Sequence, residues 1–361
     1  MIDLELGDEL ALLVDTARSF AQEQLAPHFR AAEAAREVAA PVRAAFAQIG
    51  LAALELPESL GGAGLGPLAR ALVNEELAAG DPGAALALDP LGPALYPLLE
   101  LGGEDALARL AAPLLADEGG RAVLVCAEDA QLRIDGERVS GSVPWVPADR
   151  PRLLVVLTAE GGYALVEGFE AEVLRGAGLR AAGAAALRLE HAPLAARWHD
   201  PRAAARARAR ARLYAASLLL GVLRFGAEFS RGYAQERVAF GRPIGHHQGL
   251  AFLITDMHIA VEGARLLIHE AAWRAEAGDD FAPAAASAWV ETVDVSGWIG
   301  PACVQILGGH GFMQDYPMEK VMREARALGL WLGGADAARE EAGRDLCDTR
   351  PPLALSPGGL L

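Results

Sequence analysis

Two stretches in the C-terminal part of the chain carry residue types suited to holding a phosphate-bearing heterocycle. The first, YAQERVAFGRPIGHHQG (233–249), places Arg237 beside a predicted turn. The second, VQILGGHGFMQDYPMEKVMREAR (304–326), follows Gln305 with a pair of glycines. Arginine binds phosphate through parallel N–H donors, and glycine lets a ligand approach the backbone. Either stretch alone also fits a simple junction between two helices, so it is the pair that indicates a cofactor site.

A third stretch, REARALGLWLGG (323–334), is notable for what it lacks. A charged helical segment runs into Gly-Leu-Trp-Leu-Gly-Gly, where the charge ends. The segment has the features of one that lines a site, yet it offers no acid, base or nucleophile.

The elements that must position these stretches follow from the hydrophobic pattern. Apolar residues recur every three to four positions over about the first 120 residues, which predicts helices. Short β-rich runs broken by D-G, G-G and Pro turns then predict a small β-barrel or sandwich. Three long helices are predicted after that, over 203–237, 248–277 and 283–307. A β domain between two α domains is an α+β architecture.

The predicted division of the chain has four parts. They are an N-terminal all-α domain (1–120), a shortened middle β domain (121–199), a C-terminal helical bundle (200–347) and an irregular Pro/Gly-rich tail (348–361).

Composition excludes several classes of function. A net charge of −16 argues against nucleic acid as a partner. No apolar run reaches the roughly 20 residues needed to span a bilayer, and the acidic start does not resemble a signal peptide. Three widely spaced cysteines fit reduced thiols in the cytoplasm. His191 and His269 are isolated histidines, so no metal site is expected.

Some residues are expected to be structural. The alternating arginines of PRAAARARARARLYA (201–215) would spread around a helix and form a solvated helix start, with a local anion site as the other interpretation. Glu75 and Glu76 are expected at the surface or in pairs between helices. Tryptophans at helical positions are expected to pack in the core; these are Trp273, Trp289 and Trp298.

Taken together, the motifs resemble the acyl-CoA dehydrogenase family of flavoproteins. The resemblance covers most of the chain and includes LPESLGGAGLG, VNEELAAGD, ERVAFGRPI and the run QILGGHGF–DYP–EK–MREAR. It implies an N-terminal helical domain, a β domain and a C-terminal four-helix bundle, assembled as a dimer or tetramer. FAD would lie between the β domain of one subunit and the bundle of its neighbour. In this family the flavin takes a hydride from the β-carbon of an acyl-CoA while a glutamate removes the α-proton.

The resemblance also assigns roles to individual positions. Arg237 and Phe240 match a turn that reaches the neighbour's FAD, and Arg212 matches an arginine near the thioester of the acyl-CoA. The remaining positions matched to cofactor contacts are His247, Gln248, Gln305, Gly308, Gly309 and Trp145.

The chain departs from the family at the catalytic base. The family has an aromatic residue, Glu, Gly and Thr where this chain has Trp331, Leu332, Gly333 and Gly334. Some members place the base before the bundle arginine, which here is Ala211. Neither Leu332 nor Ala211 can accept a proton, and losing a general base costs a factor of roughly 10² to 10⁴.

The β domain departs as well. Family members carry Thr-Glu-Pro followed by Ala-Gly-Ser-Asp, where this chain has CAEDAQLRIDGE (126–137). Members then have Trp-Ile-Thr, with a threonine that bonds the flavin. The matching residues Trp145-Val146-Pro147 end in proline, which offers neither a hydroxyl nor an N–H.

These departures favour a heteromer in which the chain completes the FAD site of a homologous catalytic subunit. Three alternatives remain open. The chain could be a divergent self-associated flavoenzyme with a base elsewhere, for instance Asp336 or Glu340. It could be an oxygen-using flavoenzyme that needs no such base. It could also be a flavin-free scaffold that binds acyl-CoA or partners.

Overall fold

The computed structural model describes residues 6–115, 117, 119–344 and 347. Helices run to residue 115, strands occupy 122–199, and helices resume at 201. The α+β class, with helical, β and helical parts in that order, is therefore confirmed. The predicted irregular tail (348–361) lies outside the described residues.

The N-terminal part is built from helices joined by short 3-10 and π turns. A side chain defines one boundary: Asp81 accepts hydrogen bonds from the backbone N–H groups of Gly83 and Ala84 at 2.9 and 3.2 Å. This N-cap starts the fifth helix. In chain order the helices are α1 (Asp8–Phe20), α2 (Phe29–Ala35), α3 (Ala40–Ile49), α4 (Pro67–Gly80), α5 (Pro82–Leu88), α6 (Leu95–Pro97), α7 (Gly103–Ala106) and α8 (Ala112–Leu115).

The middle part is a β-sandwich. Its strands are β1 (Ala122–Cys126), β2 (Gln131–Asp135), β3 (Arg138–Val146), β4 (Leu153–Leu157), β5 (Gly161–Leu165), β6 (Phe169–Val173), β7 (Ala185–Pro193) and β8 (Ala196–His199). One sheet has the order β1-β4-β5-β8 and the other β2-β3-β7-β6. Val125 and Leu154 of the first sheet share one core with Val143 and Leu187 of the second. Of the two β architectures predicted, the sandwich is the one formed.

The C-terminal part is a helical bundle with one short hairpin. Its elements are α9 (Pro201–Glu236), β9 (Val238–Ala239), β10 (Arg242–Pro243), α10 (Gln248–Glu276), α11 (Ala282–Leu307), α12 (Met318–Gly329) and α13 (Gly334–Arg344). The three long helices agree with their predicted spans to within two residues at each end. By length and composition α9 alone among the described helices could cross a bilayer, but 78% of its most apolar stretch is buried inside the protein.

The structure agrees with one sequence-based prediction about structural residues and corrects another. Glu75 and Glu76 are buried and pair with arginines of other helices, for example with Arg224 at 2.8 Å in each case, as predicted. The tryptophan expectation holds only for the fully buried Trp289. It is wrong for Trp273 and Trp298, which are 59% and 37% exposed because they face outward on α10 and α11.

A buried ionic cluster joins all three parts of the molecule. Lys320 on α12 donates to Glu324 Oε1 at 2.6 Å and to Asp81 Oδ1 at 3.2 Å. The other oxygen of Glu324 accepts the backbone N–H of Leu179, from the β part, at 2.6 Å. Burial alone would lower the pKa of Lys320, but the two carboxylates outweigh it and the pKa is raised. The ammonium therefore stays charged and holds α12 in place.

Replacing Lys320 with methionine would leave two buried carboxylates without their cation. Breaking a buried ion pair by removing one partner costs about 3–5 kcal/mol, so we expect a loss of that size in the free energy of unfolding, measured by urea denaturation. Arg339 on α13 pairs with Asp294 at the surface, so Arg339→Met is the control and should have a much smaller effect. Equal losses in the two variants would contradict a special role for the buried cluster.

Candidate functional site

The two positions matched to a catalytic base are buried. Leu332 is 4% exposed, Ala211 is 2% exposed, and the adjacent Arg212 is 1% exposed. Leu332 lies in the turn between α12 and α13 with a φ of 52°, a left-handed conformation that is costly for leucine. The indole of Trp289 donates to the carbonyl of Gly334 at 2.9 Å and anchors this turn. Protein atoms therefore surround the place where a substrate-facing side chain would be expected.

The segment after β1 covers the same turn. It is the stretch at which the chain lacks the family's flavin-binding residues. A Cβ atom on Gly333 would come within 3.8 Å of Asp129 Oδ1, so the two segments are in close approach. Burial and the neighbouring Glu128 raise the pKa of Asp129, although Arg208 and the N–H of Gly333 act in the opposite direction. Two acidic side chains, Asp129 and the Arg208-paired Glu128, thus stand beside this turn, on the segment that the resemblance matches to flavin contacts.

The alternating arginines of α9 form a solvated helix start only in part. Arg202 and Arg206 are exposed, but Arg208 and Arg210 are half-buried and Arg212 is buried, so the expectation is wrong for these three. Arg206 and Arg210 lie four residues apart on one face of the helix, Arg208 and Arg212 lie on another, and both pairs face acids of other elements. Arg206 and Arg210 both pair with Glu100, at 2.7 and 3.0 Å. Arg208 pairs with Glu128, and Arg212 pairs with Glu341 on α13 at 2.8 Å. The bundle, the N-terminal helices and the β part are therefore closed against one another by ion pairs.

Next to Arg212, a buried polar network fills the interface between α9 and the N-terminal helices. Arg210 Nη2 and the hydroxyl of Tyr96 both donate to Glu55, at 2.8 and 2.9 Å. The hydroxyl of Tyr214 donates to Asp89 at 3.0 Å. Burial raises the pKa of both tyrosines well above the ordinary value, so both remain hydroxyl donors at neutral pH. Nothing in the linear spacing of these residues indicated the network.

The acids proposed as replacement bases face solvent. The Asp336 side chain is 98% exposed and pairs with Arg339, and the Glu340 side chain is 75% exposed and pairs with Arg344. The acid that does meet Arg212 is Glu341, which the sequence did not single out. Its approach depends on how α13 crosses α9, and no local pattern encodes that crossing.

The positions matched to a neighbour's cofactor are, by contrast, open. The hairpin between β9 and β10 turns at Phe240 and Gly241, with φ values of 54° and 81°. Positive φ at both central residues is typical of a type I′ turn, for which phenylalanine is a poor choice. Phe240 is nevertheless 95% exposed. Its ring meets that of His247 edge-on at 6.1 Å, and His247 Nε2 lies 3.2 Å from the carbonyl of Ala239.

An open cleft of about 330 Å³ lies beside this hairpin. Its lining residues are Tyr233, Arg237, Ile244, Ile306, Leu307, Gly308, Gly309 and His310. The hydroxyl of Tyr233 lies 2.8 Å from His310 Nδ1 and so fixes one wall. Gly308 has a φ of 57°, and Cβ atoms on Gly308 or Gly309 would meet nothing within 4 Å, so the glycines face open space.

The matched residues therefore separate into two groups. Arg237, Gly308 and Gly309 come together in the cleft, with the exposed Gln305 and Gln248 at neighbouring positions. Arg237 makes no ion pair within the described part of the chain, so its cation is free for an anionic ligand. Trp145, half-buried on β3, and Arg212 do not line this cleft. The open group offers a cation and two glycines at which a phosphate-bearing ligand could approach the backbone, whereas Arg212 is buried and already paired.

Comparison with known proteins identifies the class. The family model for the acyl-CoA dehydrogenase N-terminal domain matches residues 7–118, and the model for the C-terminal domain matches residues 202–346. The chain belongs to the acyl-CoA dehydrogenase family.

Individual relatives agree with this assignment. A short-chain specific acyl-CoA dehydrogenase of Clostridium acetobutylicum is 34% identical over 128 residues, which is 36% of this chain and 34% of that protein. The mitochondrial short-chain specific enzyme of Bos taurus is 27% identical over 93% of this chain and 89% of its own length. The structure of butyryl-CoA dehydrogenase from Megasphaera elsdenii has a TM-score of 0.83 at 22% identity, covering 96% of this chain and 100% of that one. The last similarity shows the fold.

Restoring a glutamate at Leu332 should not create a working site. The position is buried and left-handed, so a carboxylate there would be desolvated without a partner, at a cost on the order of 3 kcal/mol. We expect Leu332→Glu to lower the free energy of unfolding and to give no acyl-CoA-dependent dye reduction in the isolated chain. Leu330→Glu, at a 62% exposed position two residues earlier, is the control for stability. Activity gained by Leu332→Glu alone would show that the chain keeps a functional cleft of its own.

Proposed function

We propose that this chain takes part in the FAD-dependent α,β-dehydrogenation of an acyl-CoA thioester as a subunit without a base, completing the flavin site of a homologous catalytic subunit. One observation carries the proposal. The residues matched to the chain's own reaction centre are buried, whereas Arg237, Gly308 and Gly309, matched to a neighbour's cofactor, line an open cleft. If the chain had lost both its own reaction and its contribution to a neighbour's site, the residues matched to the neighbour's cofactor would not need to remain exposed.

Each open residue has a distinct role under this proposal. Bound in the partner's site, FAD supplies the hydride acceptor. Arg237 would hold its pyrophosphate through charge-assisted hydrogen bonds. Gly308 and Gly309 would let the adenosine end approach the backbone, with Gln305 beside it as a polar contact. Phe240 would cover the cofactor with an aromatic face and exclude water.

One contact would support a competing function, in which the chain is a self-associated flavoenzyme with a base of its own. Glu341 meets Arg212 at 2.8 Å, so the chain does hold an acid next to the position matched to the thioester. A self-associated flavoenzyme could use Glu341 as its base if α13 moved away from α9. The closed ion pair argues against this, because the Glu341 carboxylate is already bound to the Arg212 guanidinium and does not face an open site.

The flavin content of purified samples distinguishes these functions. The chain would be purified alone and together with a co-expressed homologue, and the visible flavin absorbance of each sample compared. We expect flavin only in the mixed sample, together with acyl-CoA-dependent reduction of a dye. Full flavin occupancy in the lone protein would reject the heteromer and favour the self-associated enzyme. Absence of flavin from every combination would leave a scaffold. The proposal includes a cytoplasmic location, which the free buried thiols of Cys126 and Cys303 support.

Arg237→Ala gives a sharper test in the mixed sample. Removing one charge-assisted contact of about 1.5–3 kcal/mol should weaken FAD binding by about 10- to 100-fold, measured by titrating the flavin-depleted complex with FAD. Arg231→Ala, which removes an exposed arginine of α9 outside the cleft, is the matched control and should leave binding unchanged. Equal affinity in the two variants would contradict the proposed contact.

A further inference from the structure

Two histidines lie on the elements around the open cleft, and their hydrogen bonds differ. His247 directly precedes α10, and His310 lies in a short 3-10 turn (Gly308–Phe312) between α11 and α12. Of the two, only His310 lines the cleft. The sequence motifs drew attention to His247 and gave no role to His310.

Both ring nitrogens of His247 are used within the hairpin. Arg242 Nη2 donates to His247 Nδ1 at 3.2 Å, and His247 Nε2 lies 3.2 Å from the carbonyl oxygen of Ala239. A guanidinium only donates and a carbonyl only accepts, so the ring proton sits on Nε2 and bonds Ala239. His247 therefore stabilises the turn that carries Phe240, and an effect of His247 on a bound ligand would pass through that hairpin.

His310 uses only one of its two ring nitrogens. The hydroxyl of Tyr233 lies 2.8 Å from His310 Nδ1. A phenol O–H is a stronger donor than the N–H of a neutral imidazole, so the hydroxyl donates to Nδ1 and the ring proton stays on Nε2. Within the part of the chain that the structure describes, Nε2 has no hydrogen-bond partner and is not enclosed by protein atoms. His310 therefore has an N–H donor available in the wall of the cleft.

The direction of this donor is set by two tyrosine rings. Tyr316 stacks on His310 with the ring centres 4.7 Å apart and the planes 8° from parallel. Tyr233 meets both rings edge-on, each at 5.9 Å. Tyr316 is itself held, because its carbonyl accepts a hydrogen bond from Arg30 of α2 at 2.8 Å. A side chain that is already ordered loses little conformational freedom when a ligand binds.

The charge of the cleft indicates which ligand group would accept this hydrogen bond. The described residues that line the cleft include the cation of Arg237 and no acid. A phosphate carries several acceptor oxygens, so it can bind a guanidinium and a second N–H donor at once. We propose that His310 donates its Nε2–H to a phosphate oxygen of the ligand in this cleft, with Tyr233 and Tyr316 as the residues that position it. The identity of that ligand as the FAD of a partner subunit rests on the proposed function.

Two amide substitutions at His310 test the donor in the complex with a co-expressed homologue. A glutamine amide can place an N–H close to the position of Nε2, whereas the shorter asparagine amide reaches only the region of Nδ1. We expect His310→Asn to weaken FAD binding by about 10-fold or more and His310→Gln to stay within about threefold of the wild type. The measurement is a titration of the flavin-depleted complex with FAD. His199→Asn, at an exposed histidine of β8 outside the cleft, is the control and should leave binding unchanged. Equal affinities of the asparagine and glutamine variants would overturn the inference.

Nitrogen NMR of the isolated chain tests the position of the ring proton. The chain would carry ¹⁵N-labelled histidine, and the signals of His310 would be assigned as those missing from His310→Gln. We expect a protonated Nε2 and an unprotonated Nδ1 in the wild type, and a mixture of the two neutral forms in Tyr233→Phe. A role in packing alone would not produce this change. A wild-type ring protonated on Nδ1 would overturn the inference.

The same samples test the ligand group. Millimolar ADP should shift the Nε2 signal of His310, and the same concentration of adenosine, which lacks phosphate, should not. An equal response to the two compounds, or no response to ADP, would contradict a phosphate contact.

These measurements separate the inference from the proposed function. The NMR experiments need no partner subunit, so they test His310 even if no combination of subunits contains flavin. If the mixed complex binds FAD and His310→Asn binds it as tightly as the wild type, the role of His310 is rejected and the proposed function stands.

Discussion

The arrangement of the three parts depends on buried ion pairs, and the cluster around Lys320 reaches all three parts. Lys320 is the only lysine of the chain, and it bridges Asp81 of the N-terminal helices and Glu324 of α12, which in turn binds the backbone of the β part. Since α12 leads directly into the turn at Leu332, this cluster also sets where that turn lies. A buried ion pair is weak evidence for net stability. Its clearer effect here is on geometry, because the cluster ties α12 to Asp81 of the N-terminal helices and to the backbone of Leu179 in the β part.

Much of the fold could be predicted from the sequence, because apolar periodicity reports which face of an element is buried. The three long helices of the bundle and the sandwich were recovered in this way. The arginines of α9 were not, because a solvated helix start was assumed without knowledge of which acids would face it. Trp273 failed for a related reason. A tryptophan at a helical position does not by itself show which face of the helix is buried, and Trp273 lies on the outward face of α10.

The candidate site was only partly predictable for the same physical reason. Motif order located Leu332, Ala211 and Arg237, since a local run of residues defines each position. Whether those positions are open or covered depends on contacts between distant segments, such as Arg212 with Glu341. Those contacts depend on the crossing of α9 and α13.

The covered turn at Leu332 has a consequence for how the chain folds in the cell. A ligand that binds only the native state adds stability by mass action, in proportion to the logarithm of its concentration over its dissociation constant. Where side chains already occupy the space, as they do around Leu332 and Arg212, that part of the fold gains no such term from a ligand. The turn is instead held by the protein's own contacts, such as the hydrogen bond from the Trp289 indole to the carbonyl of Gly334.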